Sequence, residues 1–223
     1  MDELSAPELA DRLAASFLPS NAARELFVAL LRELARGRPV PAAALAAALG
    51  WPVEQVREAL GQVSSVEQDD AGRVVGAGLT LRETPHVFDV DGRRLYTWCA
   101  LDSLMFPALL EKTARVSSRC ARSGVPIHLT VTPEAVLDVE PAKAVVSLVL
   151  PEASCDVRSA FCAHSNFFAS MAAAEPWLGD HPGATVGRVE DVFRIGRELA
   201  RRQIAADRPR NVIGMHRLED HNV

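Results

Sequence analysis

The chain has 223 residues, 48% of them hydrophobic, with 24 Lys and Arg against 29 Asp and Glu for a formal net charge of −5. That is apolar material for one large domain or two small ones, and the acidic balance argues against nucleic-acid or anionic-membrane binding as the main activity. Met1-Asp2-Glu3-Leu4 begins no basic n-region and apolar h-region, and no apolar run approaches the roughly 20 residues of a membrane span. The expectation is therefore a cytoplasmic protein whose four cysteines, Cys99, Cys120, Cys155 and Cys162, are reduced thiols.

The first third reads as helical. Residues 8–18 make a short amphipathic helix, and Pro19-Ser20-Asn21 supplies a break and a cap. Residues 22–36 repeat Leu26, Leu30 and Leu34 at helical spacing, and Gly37-Arg38-Pro39 ends them. A second helix over 41–49 closes at Gly50, and Trp51-Pro52 opens a third over 53–63. Residues 66–81, turning at Asp69-Asp70-Ala71-Gly72, read as a β-hairpin. Three helices and a hairpin form the pattern of a winged helix-turn-helix, assigned to residues 1–81. Its third helix offers only Arg57 against Glu54 and Glu58, and there is no lysine before residue 81. A unit that packs and does not bind DNA is the expectation.

From residue 82 the texture changes to that of an α+β core running to residue 206. Val87-Phe88-Asp89-Val90 and Arg94-Leu95-Tyr96 flank Asp91-Gly92 as a hairpin. Residues 98–111 read as a helix that Pro107 kinks or stops. Residues 114–120, 127–132, 145–150 and 161–170 read as strands in one or two small sheets, and 189–204 as a closing helix. The polar segment 207–223 is expected to be a loose tail.

The chemistry concentrates at Cys99, Asp102 and Cys162. On a helix Cys99 and Asp102 share a face at i and i+3, and the first-turn dipole favours a thiolate. Apolar neighbours Trp98, Phe106, Phe161 and Phe168 form the expected pocket, which should raise the pKa of Asp102 and leave it a proton donor. His164, two residues from Cys162 on an alternating strand, would line the same side. Two soft thiolates suit a thiophilic metal, and with one acid beside them they suit cleavage of a carbon–metal bond. Each cysteine has a plainer reading as a small core hydrophobe. Cys120, at the end of a strand, keeps that reading, and Cys155, in a loop, is expected to be merely exposed. The short ligand spacings of a zinc site and a redox C-x-x-C are both missing. A Cys–His pair of Cys99 with His128 or His164 stays open on the sequence alone.

At these residues the chain resembles the organomercurial (alkylmercury) lyases. The resemblance runs through Leu95-Tyr96-Thr97-Trp98-Cys99-Ala100-Leu101-Asp102-Ser103-Leu104-Met105-Phe106-Pro107, Thr113-Ala114-Arg115-Val116-Ser117-Ser118-Arg119-Cys120, Val146-Ser147-Leu148-Val149-Leu150-Pro151, and Phe161-Cys162 with Phe167-Phe168-Ala169-Ser170. Gly78-Leu79-Thr80-Leu81 with Thr84-Pro85-His86 resembles the stretch between the family's two parts. The resemblance implies that Cys99 and Cys162 are the catalytic thiols and the holders of Hg(II), and that Asp102 manages protons beside the metal. It implies that Cys120 is structural. An accessory cysteine found after Cys162 in some members is Ala163 here, and Cys155 has no implied role. No resident cofactor is implied, because mercury is substrate and product. The implied partners are an organomercurial, low-molecular-weight thiols that carry mercury in and out, and a mercuric reductase, with the chain a monomer or weak homodimer. A metal sensor and a non-catalytic mercury-sequestering protein are the alternatives.

Overall fold

The computed structural model describes residues 11, 13, 20–63, 65–149 and 156–206, with residues 205 and 206 by backbone only. The helix expected over 8–18, Cys155 and the tail lie largely or wholly outside them. Helix α1 (Asn21–Leu34) starts where the Ser20 hydroxyl accepts from Ala23 N at 3.1 Å. It buries Leu26, Leu30, Leu31 and Leu34 along one stripe. Helix α2 (Ala42–Leu49) ends on Gly50 at φ 69, a left-handed cap that glycine takes without a Cβ clash. Helix α3 (Val53–Gln62) follows Pro52. Strands β1 (Glu67–Gln68) and β2 (Val74–Ala77) form the wing, its turn tied by Asp69 Oδ1 accepting from Ala71 N and Arg73 N.

The wing does not end the first part. Strand β3 (Leu79–Thr80) pairs back onto β2 and forward onto β5 (Arg93–Thr97), which forms a hairpin with β4 (His86–Val90). Asp91 and Gly92 both have positive φ, at 49° and 71°, as the tight two-residue hairpin turn demands. With β6 (Ala114–Arg119), β7 (Pro126–Val131) and β8 (Val136–Glu140), these strands make one antiparallel sheet in the order β1-β2-β3-β5-β4-β6-β7-β8. The separate small sheets expected for the core are thus replaced in part by one eight-stranded sheet shared with the wing. A second sheet, β10-β9-β11, comprises β9 (Val145–Leu148), β10 (Phe167–Phe168) and β11 (Thr185–Arg188).

Helix α4 (Ala100–Leu110) is apolar on almost every face and lies buried, against α1, the sheet and the long helix over Val189–Ala206. Pro107 neither stops it nor ends its hydrogen bonding, since the Pro107 carbonyl accepts from Glu111 and Lys112 N. Further helices are α5 (Val157–Ala160), α6 (Met171–Asp180) and α7 (Val189–Ala206). At Gly196 of α7 an added Cβ would stand 3.3 Å from Met105 Cβ, so the glycine sets the close approach of α7 to α4. Residues 161–170 depart from the expected strand. They form a 3-10 turn, Cys162–His164, before the two residues of β10. Their polar groups are taken one by one: Ser147 Oγ donates to His164 O at 2.7 Å and accepts from Asn166 N at 3.0 Å.

Candidate active site

Cys99 follows β5 and is the N-cap of α4, in extended conformation, with Sγ accepting from Asp102 N at 3.4 Å. Its carbonyl is fixed from two sides, by Thr97 Oγ1 at 3.1 Å and Ser103 Oγ at 3.2 Å, and those hydroxyls bond one another at 2.6 Å. Asp102 stands three residues on, on the same face of the first turn. Cys162 arrives from 63 positions away through Ser165, whose carbonyl accepts from Ala100 N at 3.0 Å and whose hydroxyl accepts from Leu101 N at 3.2 Å. Ser165 thereby satisfies two free N–H groups of the α4 terminus and stitches the 3-10 turn to it.

The result is a compact group. One ligand atom each of Cys99, Asp102 and Cys162 lies within 4.8 Å of the others, and all three residues are buried. Asp102 Oδ2 has no hydrogen-bond partner among the described residues. Burial raises the Asp102 carboxyl to about 7, the direction its apolar surroundings lead one to expect. Burial also pushes the Cys99 thiol well up, with Cys162 and the Asp102 charge adding to it. The thiolate expected at Cys99 from the helix dipole is therefore corrected: desolvation outweighs the N–H bond, and the resting group is a thiol. At Cys162 the contact with Cys99 pulls the other way, but burial and the Asp102 charge leave it raised.

A cleft opens onto Asp102 and Cys162. Trp98 and Phe161 line it, with Leu101, Met105 and Val157. The other three residues expected in the lining are not there. Phe106, at i+4 from Asp102, is turned beneath Gly78 and packs on Phe27 at a centroid distance of 6.3 Å. Phe168 sits in β10 against Trp177, and His164 lies edge-on to His181 because the segment turns instead of alternating. No histidine joins the thiols among the described residues, and His128 bonds Ser117 on an exposed strand face. Cys120 is buried apart from the group, beyond β6. Burial there raises its pKa, but hydrogen bonds from Ser123 and nearby backbone outweigh it and leave the thiol lowered.

Sequence reasoning did not find Phe27, Gly78, Ser165 or Gln203 as parts of this site. Phe27 and Gln203 reach the cleft from α1 and α7. Gly78 has φ +79, and a Cβ there would come 2.7 Å from Phe106 Cζ and 3.7 Å from Asp102 Cγ. Its place beside the Asp102 carboxyl is not marked in the local sequence, where residues 66–81 read as a hairpin.

A family model described as "Alkylmercury lyase" matches residues 79–201, and one described as "Helix-turn-helix domain of alkylmercury lyase" matches residues 4–78. The chain belongs to the alkylmercury lyase family. Alkylmercury lyase of Pseudomonas putida is 53% identical over 204 residues, covering 92% of this chain and 95% of that one. Alkylmercury lyase of Streptomyces lividans is 47% identical over 207 residues, covering 92% and 96%. Among solved structures, the mercury-bound form of MerB2 shares the fold, with a TM-score of 0.75, 23% identity, and coverage of 90% of this chain and 100% of that one. As in the sequence reading, the alkylmercury lyase fold here is α+β with a helix-turn-helix N-terminal part. No described helix is long and apolar enough to cross a membrane.

Proposed function

We propose that this chain cleaves the carbon–mercury bond of organomercurials by protonolysis, with Cys99 and Cys162 as the mercury-binding thiols and Asp102 as the proton carrier. The observation that carries the reading is the buried Cys99–Asp102–Cys162 group, whose Asp102 Oδ2 has no partner among the described residues. An organomercury cation arrives as a thiol adduct, R–Hg–SR′. One thiol of the pair bonds mercury and its proton leaves with the displaced carrier as R′SH. The second thiol gives its proton to the Asp102 carboxylate and raises mercury to three-coordination. That weakens Hg–C and loads electron density onto carbon. Asp102 then delivers the proton to carbon, releasing R–H and leaving Hg(II) on two thiolates. A carboxyl near pKa 7 exchanges protons in both directions at neutral pH, as such a carrier must. The sum is R–Hg–SR′ plus two thiols giving R–H, R′SH and the dithiolate complex of Hg(II), with no net redox change.

Two external thiols then remove mercury by exchange and return both cysteine protons. Low-molecular-weight thiols therefore belong to the cycle, and a mercuric reductase is the natural consumer of the ion in the cytoplasm. No cofactor appears in this balance. The helix-turn-helix part is given no nucleic-acid role, since the single arginine of α3, Arg57, faces Glu54 at 3.9 Å. The working form is taken as a monomer or weak homodimer.

The test is benzene released from phenylmercury in excess thiol, measured by gas chromatography. More than one equivalent per protein is expected, and none from Cys99→Ala or Cys162→Ala. Substantial turnover in either variant would defeat the paired-thiol scheme. Mercurial bound by the wild type with no benzene would leave a sequestering protein instead.

A further inference from the structure

Glu67 lies outside the cysteine–carboxylate group, on the wing, yet only 8% of its side chain is exposed. A carboxylate so placed needs partners. Its Oε1 accepts from the Arg158 guanidinium in an ion pair, and its Oε2 accepts from Thr80 Oγ1 at 2.5 Å. Burial pushes Glu67 up, but the Thr80 and Arg158 bonds outweigh it and keep the carboxylate ionised. Gly76, paired with Glu67 across the wing, leaves the room: a Cβ there would overlap Oε2 and stand 2.7 Å from Thr80 Oγ1. A second contact runs beside the first, from the Ser65 hydroxyl to Asp156, the N-cap of α5. Ser65 is held at φ 67, a conformation rare outside glycine that persists where its surroundings impose it.

These contacts grip the segment that delivers the second thiol. Arg158 and Cys162 are one helical turn apart, and Phe161 N donates to Val157 O at 3.0 Å to join α5 to the Cys162 turn. The same guanidinium lies 4.7 Å over the Trp98 ring, next to Cys99. One arginine thus touches both arms of the site, and the wing holds that arginine. We infer that Glu67 is a positioning residue for the reaction: through Arg158 it clamps α5 and the Cys162 turn against Trp98, so that the wing keeps the second thiol within reach of Cys99. Only the kinetic arm of the test rests on the proposed carbon–mercury chemistry.

Glu67→Gln keeps the size and a hydrogen bond to Thr80 but removes the charge that fixes Arg158. In the full chain, iodoacetamide labelling read by peptide mass spectrometry follows each cysteine separately, with no mercury present. Cys162 should alkylate about fivefold faster or more, with Cys120 unchanged, as expected for a local opening. The kcat/KM for phenylmercury should fall about tenfold or more, as expected for a misplaced reacting group. Arg158→Met should do the same, and the double variant no more than either, since both act through one contact. Unchanged Cys162 labelling in both variants overturns the inference, and so does an equal rise at Cys162 and Cys120, which is general loosening. If the wild type releases no benzene, the proposed chemistry fails by itself, while the labelling still decides the clamp.

Discussion

At the scale of residues, the site works because a carboxyl and two thiols are denied water together. Asp102 is raised from an ordinary carboxylate to about 7 by burial, and its Oδ2 has no partner among the described residues. This has a thermodynamic signature with a definite sign. Between the unfolded value of 3.8 and about 7 the folded protein holds a proton that the unfolded chain has lost. Stability must therefore fall as pH rises through that window and level off above it. Asp102→Asn should be as stable as wild type near pH 4 and more stable by roughly 4 kcal/mol above pH 7, by the linkage of one pKa unit to about 1.4 kcal/mol. Chemical denaturation of both proteins across that range measures it, and parallel pH curves would refute it. The aromatic residues close to the motif in sequence were a poorer guide. Trp98 and Phe161 do line the cleft, but the i+4 spacing turns Phe106 under Gly78. Nearness in sequence selects residues around the site without saying which way each points.

At the scale of elements, the juxtaposition of the two thiols depends on Ser165. Its carbonyl and hydroxyl take the first two free N–H groups of α4, which fixes the Cys162 turn at the helix terminus. Ser165→Ala should leave Leu101 N buried without an acceptor and cost about 1–3 kcal/mol, the usual penalty for such a group. Urea unfolding tests this, with a loss under a few tenths of a kcal/mol as the contrary result. The same contacts explain why residues 161–170 were misread. Their apolar composition reflects burial, but the groups of His164, Ser165 and Asn166 bond to Ser147 and α4, and only Phe167 and Phe168 join a ladder. Helices α1, α2 and α3 were legible because each carries its own start or stop, Ser20 and Pro52 opening α1 and α3 and Gly50 closing α2. Strands β8 and β11 were not, since both are short, largely exposed and defined by the neighbours they pair with.

At the scale of the whole molecule, the helix-turn-helix part is structurally continuous with the core. The two family matches meet between residues 78 and 79, yet the sheet runs across that point, with β2 and β3 pairing Gly76 with Thr80 and Ala77 with Leu79. Phe27 of α1 reaches the cleft from one side and Gln203 of α7 from another. Contributions of this kind come from tertiary packing, and nothing in the local sequence around Phe27 or Gln203 marks them. The bringing together of Cys99 and Cys162 was legible through family resemblance and not through spacing. A sheet shared in this way predicts one cooperative thermal transition, with calorimetric and van't Hoff enthalpies in agreement. Two resolved transitions would mean that the parts fold apart.

The measurement that goes most directly to the chemistry is a single turnover of Asp102→Asn with one equivalent of phenylmercury. Both thiols remain, so mercury should bind, but the proton for carbon has no carrier. The phenyl group should stay on the bound metal while the wild type releases benzene under the same conditions. Benzene released by the variant at the wild-type rate would contradict the assignment of Asp102 as the acid, and with it the account of how this site breaks a carbon–mercury bond.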